Sequence, residues 1–210
     1  MPVAVALALL GALLGLFADR LAARWPEHED AAVRGVDWRT VVVVVAGGAG
    51  FGALALRWPE ASALATLGPY FAALVVLMAI DLDQRLLPDL ITLPMIPVSL
   101  ALLVLGLNPL LQGKELGLAS GLAAGIAAPV FLIASSAVLR GGVGVGDIKL
   151  AVSLGFMSGL TRLMSGFIIA SVLSSLFIIA LLATRRLKLR SAIPFGPILI
   201  CGAAIGALIQ

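Results

Sequence analysis

The chain has 210 residues, of which 61% are hydrophobic and only 12% charged, and its mean hydropathy is +1.16. A soluble globular domain carries about twice that share of charge, so the composition excludes one and requires an integral membrane protein. The net charge of +3 is small, and the basic residues stand at the ends of apolar runs, so the isoelectric point near 9.6 reads as a topology signal and not as a nucleic-acid footprint.

The apolar runs, about 13 to 24 residues long, lack the period-two alternation of barrel strands, which leaves helices as the only way to satisfy the backbone in lipid. The expected fold is all-α: a single polytopic domain over 1–210 with about eight transmembrane helices. The first apolar run covers 3–18; no small-residue cleavage site follows it at Asp19-Arg20, and it is expected to be a retained span. Residues 21–40 are the most polar stretch, with Arg24, Arg34 and Arg39 among Glu27, Glu29, Asp30 and Asp37, a loop too short for a domain. His28, the only histidine, lies there beside acids and without evident catalytic or ligating partners, as a solvated loop residue would.

The second run, 41–56, opens with five valines and carries Gly47, Gly48, Gly50 and Gly52, small residues that suit close helix packing; Trp58 after it suits an interface. The third, 64–80, stops at Asp81. The fourth, 90–107, contains Pro94 and Pro97, which are expected to kink it. The fifth covers 116–139. The sixth, 148–160, has only about 13 residues, short for a span. The seventh covers 163–183 and the eighth 193–209, which holds the one cysteine, Cys201. A single cysteine allows neither an intrachain disulfide nor a Cys-based zinc site.

If the N-terminus is outside and every run crosses, eleven basic residues fall on the cytoplasmic side and only Arg57, Lys114 and Arg162 outside. That bias supports the orientation, and the cluster at 185–190 stays inside only if the short sixth run crosses.

The chemistry centres on residues 141–149, G-G-V-G-V-G-D-I-K. Four glycines let the backbone turn sharply and approach another main chain, and they present Asp147 at the start of an apolar helix. The structural reading of Asp147 is a helix cap facing water; the functional one is a carboxylate held at the membrane boundary for a purpose. Asp81 ends the third span and Asp147 begins the sixth, with two spans between, so both belong on the cytoplasmic side. In the stretch after Asp81, Asp89 follows Pro88 and precedes Thr92 by three residues, as an N-cap would. Asp83 and Arg85 read as solvated loop charges. Two carboxylates close together in a low dielectric share a proton and titrate as a unit. The ionised member can take a proton from water while the protonated member polarises a peptide carbonyl, the logic of aspartic proteolysis. Asp81 and Asp147 alone are too few ligands for a metal.

These residues resemble the type IV prepilin peptidases, the A24 group of G-x-G-D aspartic membrane peptidases. Asp81 with L-L-P-D-L-I-T-L-P at 86–94 looks like the family's first catalytic aspartate and its P-D-x-x-T tail, which includes Pro88 and Asp89. Gly144, Gly146, Asp147 and Lys149 fall on the G-x-G-D-x-K-L segment with the second, and I-P-F-G-P at 193–197 looks like the opening of the last span. Arg24-Trp25-Pro26 stands where Arg-Leu-Pro is usual. The resemblance implies a leader peptidase of the inner (cytoplasmic) membrane, its catalytic core over 64–210 and its first span and short loop over 1–40. It implies a prepilin-like protein substrate with a short basic leader before a hydrophobic helix, cut on the cytoplasmic face after a glycine. Besides that substrate the lipid bilayer is the expected partner, with no nucleic acid; homo-oligomerisation is left open. Bacterial members commonly carry paired C-x-x-C motifs between spans one and two, and that region here, 21–40, has no cysteine. Zinc, any other cofactor and N-methyltransferase activity are therefore not expected.

Two other classes fit less of the sequence. A presenilin-like protease also uses G-x-G-D but would show Tyr-Asp at the first aspartate and a P-A-L motif, whereas Ile80 precedes Asp81 and the only tyrosine is Tyr70. An ion-coupled transporter would use paired acids and Gly/Pro-broken helices, but here the acids sit at one boundary and no internal repeat is visible.

Overall fold

A computed structural model describes residues 1–26, 35–139, 144–183 and 195–209, and each apolar run of the sequence is carried by a helix. In order these are α1 (Pro2–Ala22), α2 (Trp38–Arg57), α3 (Ala61–Gln84), α4 (Asp89–Val104), α5 (Gly117–Leu139), α6 (Val145–Ala183) and α7 (Gly196–Ile209). Five of them, α1, α2, α3, α5 and α6, are long and apolar enough to cross a membrane. The chain is thus an all-α, polytopic membrane protein. His28, Arg140, Gly141, Gly142, the basic cluster at 185–190, and Pro194 lie outside the described residues.

The two expected runs at 148–160 and 163–183 form one element, α6, broken at Gly159, where φ is 67° and ψ 175°. The break is a reversal. Asp147 near the start of α6 and Gly196 at the start of α7 lie together, whereas past the break Arg162 packs on Gly206 near the end of α7. The 14 residues ahead of the break therefore run from one end of the bundle to the other, and the rest of α6 returns. With the two arms of α6 counted separately, the described residues hold eight helical segments, one for each apolar run. Side chains satisfy the backbone at the turn: Asn108 Nδ2 donates to the carbonyls of Phe156 and Met157 at 3.3 and 2.9 Å, and the Leu160 amide donates to Ser120 Oγ at 2.9 Å. Only glycine reaches this backbone conformation without strain. A Cβ there would lie 2.7 Å from the Leu111 side chain and 2.9 Å from Ser120 Oγ. Gly159→Ala is expected to cost about 1–3 kcal/mol, read as a lower thermal midpoint in detergent; an unchanged midpoint would show that the turn tolerates a side chain.

The central helix is α3, which packs on α1, α2 and α7 and buries Leu67, Leu77 and Ile80 completely. It continues a full turn beyond the expected end at Ile80, so Asp81 lies inside the helix. Helix α4 is continuous across Pro94 and Pro97 and stops at Val104, short of the expected 107. Helices α1 and α2 approach closely through Gly11 and Gly47, where a methyl group on either would collide with the other's carbonyl, as the small residues of α2 suggested.

Candidate active site

The end of the bundle that carries both aspartates is built by three local structures. Asp81 sits in the last turn of α3, only 5% exposed, and Arg85 ends that helix in the left-handed conformation while its amide donates to the Asp81 carbonyl at 2.9 Å. Asp147 sits in the first turn of α6, with Gly144 just before the helix. Gly196 opens α7.

These three segments meet. A Cβ placed on Gly196 would lie 2.7 Å from Asp81 Oδ2 and 3.4 Å from Asp147 Oδ1. Both carboxylates thus come within 3.4 Å of one point, and what keeps that point open is the missing side chain of Gly196. The Gly196 backbone amide faces the Asp81 carboxyl, yet Asp81 Oδ2, buried, has no hydrogen-bond partner among the described residues. The other oxygen of Asp147, Oδ2, lies against Gly144, whose backbone faces it. One oxygen of Asp147 thus faces the backbone that precedes α6, while the other lies on the side of Gly196. No third His, Cys, Asp or Glu joins them among the described residues.

The remaining sequence candidates support this pair from outside. Gly146 is in contact with the 86–88 loop, since a Cβ on it would lie 2.8 Å from Leu87 Cβ; the glycine lets that loop dock on the start of α6. Pro88, buried, precedes α4, and its carbonyl accepts the Thr92 hydroxyl at 3.2 Å. Asp89 is not the N-cap that its spacing to Thr92 suggests. Helix α4 begins at Asp89 itself, with Pro88 at the cap position and no side-chain cap, because proline holds an extended backbone there and leaves the carboxylate free to turn outward. Asp89 pairs instead with Lys149, Nζ to Oδ1 at 2.7 Å, tying the first turns of α4 and α6 together; its side chain is 60% exposed, so the pair is worth at most about 1 kcal/mol.

Asp83 is not a solvated loop charge. It lies in the last turn of α3 with its side chain 8% exposed and takes an ion pair from Arg39 at the start of α2. Asp37 directs that arginine: its carboxylate accepts the amides of Arg39 and Thr40 at 2.9 and 3.1 Å, and the Asp37 amide donates to Thr40 Oγ1, a capping box. Thr40 Oγ1 in turn donates to buried Asp19 of α1 at 2.9 Å, and Gln84 Nε2 donates to the Ala22 carbonyl at 2.6 Å. The polar 21–40 stretch concealed this latch, because its charges look alike in sequence; the D-x-x-T spacing of Asp37 and Thr40 was the available signal. Arg39→Ala removes a charged hydrogen bond from the buried Asp83 carboxylate and is expected to cost about 2 kcal/mol, whereas Lys149→Ala is expected to leave thermal stability almost unchanged. Equal effects of the two substitutions would contradict the difference in burial.

The type IV leader peptidase family matches residues 69–179. The chain is 36% identical over 171 residues to the prepilin leader peptidase/N-methyltransferase of Burkholderia pseudomallei (strain 1026b), covering 78% of this chain and 52% of that protein. It is 31% identical over 140 residues to the protein of that name from Bacillus subtilis (strain 168), covering 66% of this chain and 53% of that one. The chain thus spans about half the length of the curated relatives it matches. No solved structure matches it. The matched residues include both aspartates, all of α4 and α5 and most of α3 and α6; the chain belongs to the type IV leader peptidase family.

Proposed function

We propose that this chain is a membrane-embedded aspartic endopeptidase that removes a short basic leader from a prepilin-like protein, with Asp81 and Asp147 sharing the work. The observation that carries the reading is the convergence of the two carboxylates on one point kept clear by Gly196. Like charges so close in a poorly hydrated setting hold one proton between them. The ionised carboxylate takes a proton from water as its oxygen attacks the scissile carbonyl, and the protonated one gives its proton to the carbonyl oxygen. As the tetrahedral intermediate collapses, the C–N bond breaks, the proton taken from water passes to the leaving amine, and a hydroxyl of the intermediate returns its proton to the other carboxylate as the new C=O forms, so the pair returns to its starting state.

An apolar cavity of about 280 Å³ supports a substrate with a hydrophobic segment beside the cut. Its wall includes Ala151, one turn beyond Asp147, and Leu199, three residues beyond Gly196, and continues to Leu154, Ala203 and Phe167. Apolar side chains following the scissile bond have somewhere to go. The distribution of basic residues favours the aspartate end as the cytoplasmic one, with Arg20, Arg24, Arg39, Arg85 and Lys149 at or near it. Methyl transfer is not part of the proposal, because the connection between α1 and α2 holds no cysteine.

The test is co-expression with candidate prepilin-like proteins, followed by N-terminal sequencing of the products. A new N-terminus directly ahead of the hydrophobic segment is the expected result. Uncut candidates across a panel with basic leaders would overturn the substrate class.

A further inference from the structure

The last turn of α3 carries two acids, Asp81 and Asp83, and no base. It is the negative end of a helix of 24 residues, where carboxylates are disfavoured and the final carbonyls find no partner within the helix. An end of that kind frays unless something outside it holds the turn, and fraying would carry Asp81 away from the point it shares with Asp147. Arg85 at the cap is exposed, so water and salt screen its charge.

The hold comes from the other side of the helix. At 3.6 residues per turn Asp83 lies about 200° round from Asp81, so Asp81 looks towards Gly196 of α7 while Asp83 looks towards α2, where it takes Arg39 Nη1. The next residue, Gln84, donates through Nε2 to the carbonyls of Ala22 and Pro26 at 2.6 and 3.3 Å. The two grips thus come from the two ends of the polar connection, since Ala22 closes α1 and Arg39 lies in the first turn of α2. Both ends are themselves fastened. Asp37 accepts the Arg39 amide and sets the direction in which that arginine leaves the helix, and Thr40 Oγ1 donates to Asp19 Oδ2 at 2.9 Å, with both residues buried. Behind them α1 and α2 touch through Gly11 and Gly47. The clamp therefore stands on a closely packed helix pair. Through Arg39 it brings to the end of α3 the cation that the last turn lacks.

We propose that Arg39 and Gln84 are positioning residues for the reaction: they clamp the last turn of α3 from the face away from Asp147 and so hold the Asp81 carboxyl where the two aspartates converge. The inference rests on the aspartic reading of that pair. Both side chains act through the backbone of the turn and not on the peptide being cut.

The full chain in detergent is assayed on a prepilin-like protein that it cuts in co-expression, and amide hydrogen exchange is followed over residues 82–85. Arg39→Ala and Gln84→Ala are each expected to lower kcat by about ten- to a hundredfold with KM within about twofold, and to speed exchange in that turn by at least about tenfold. Arg39→Lys keeps the cation and is expected to bring kcat back to within about threefold of the parent. Asn108→Ala is the stability control. It strips hydrogen bonds from the Phe156 and Met157 carbonyls at the far end of the bundle, so the thermal midpoint should fall while kcat and exchange over 82–85 stay at the parent's values. Gln84→Ala leaves the Arg39–Asp83 pair in place and keeps the test intact should Arg39→Ala fail to fold. Parent-like kcat in the folded clamp variants, with Asp81→Asn inactive, overturns the clamp and leaves the aspartic reading standing; so does a kcat loss that Asn108→Ala reproduces at an equal midpoint. Cleavage that survives Asp81→Asn overturns the aspartic reading itself, and the positioning role with it.

Discussion

Asp81→Asn and Asp147→Asn are each expected to lower leader cleavage by at least about a thousandfold, with the protein still inserted and folded. An amide cannot take a proton from water, and one carboxyl left beside it cannot be acid and base in the same turnover. The two losses are also expected not to add: the double variant should be about as inactive as either single one, because residues that act as one unit fail together. The folded state should tolerate these changes. Asp81 Oδ2 is buried and has no hydrogen-bond partner among the described residues, and taking a charge out of such a place relieves desolvation. A thermal midpoint equal to or above that of the parent, together with lost cleavage, would separate chemistry from stability. Near-normal cleavage by either variant would sink the assignment of that residue. If one variant were silent and the other dead, the shared-proton mechanism would go and the remaining aspartate would need a different partner.

Most of the architecture was legible because lipid leaves the chain few options. Each apolar run became a helix, and even the short run at 148–160 was read at its true length, since a glycine break and a full crossing produce the same hydropathy pattern. The ends of helices were less legible. Asp81 looked terminal because charge marks the edge of an apolar run, yet α3 carries on for a turn, where Asp83 is satisfied by Arg39 and Gln84 by a backbone carbonyl. Asp89 looked like a cap because its spacing to Thr92 fits one, but proline at 88 fixed the helix start one residue earlier than that spacing implies. The facing of Asp81 and Asp147 followed from counting spans. The role of Gly196 did not, because a glycine's value at a contact depends on what stands opposite, and two aspartates at sequence distances of 115 and 49 residues leave no local trace.

Gly196→Ala tests that role with a single methyl group. The added Cβ would lie 2.7 Å from Asp81 Oδ2 and 3.0 Å from its carboxyl carbon, closer than a carbon tolerates, so either the carboxylate or the start of α7 must shift. Asp81 is held inside a well-packed helix beside Ile80, which is wholly buried, so its side chain rotates away from Asp147 more readily than the backbone yields. Displacing a reacting group by about 1 Å costs on the order of a hundredfold in rate, and a loss of that size or greater in kcat, with KM little changed, is the expected result. Gly68→Ala serves as the control: it lies in the same helix as Asp81 with nothing within 4 Å of an added Cβ, and alanine is the better helix former, so activity should be retained and stability slightly raised. Unfolding would produce a different pattern, with lost expression and a lowered midpoint in Gly196→Ala. Were that variant folded and as active as the parent, the space between the carboxylates would not be where the peptide bond is cut, and the pair would have to work in some other arrangement of α3, α6 and α7.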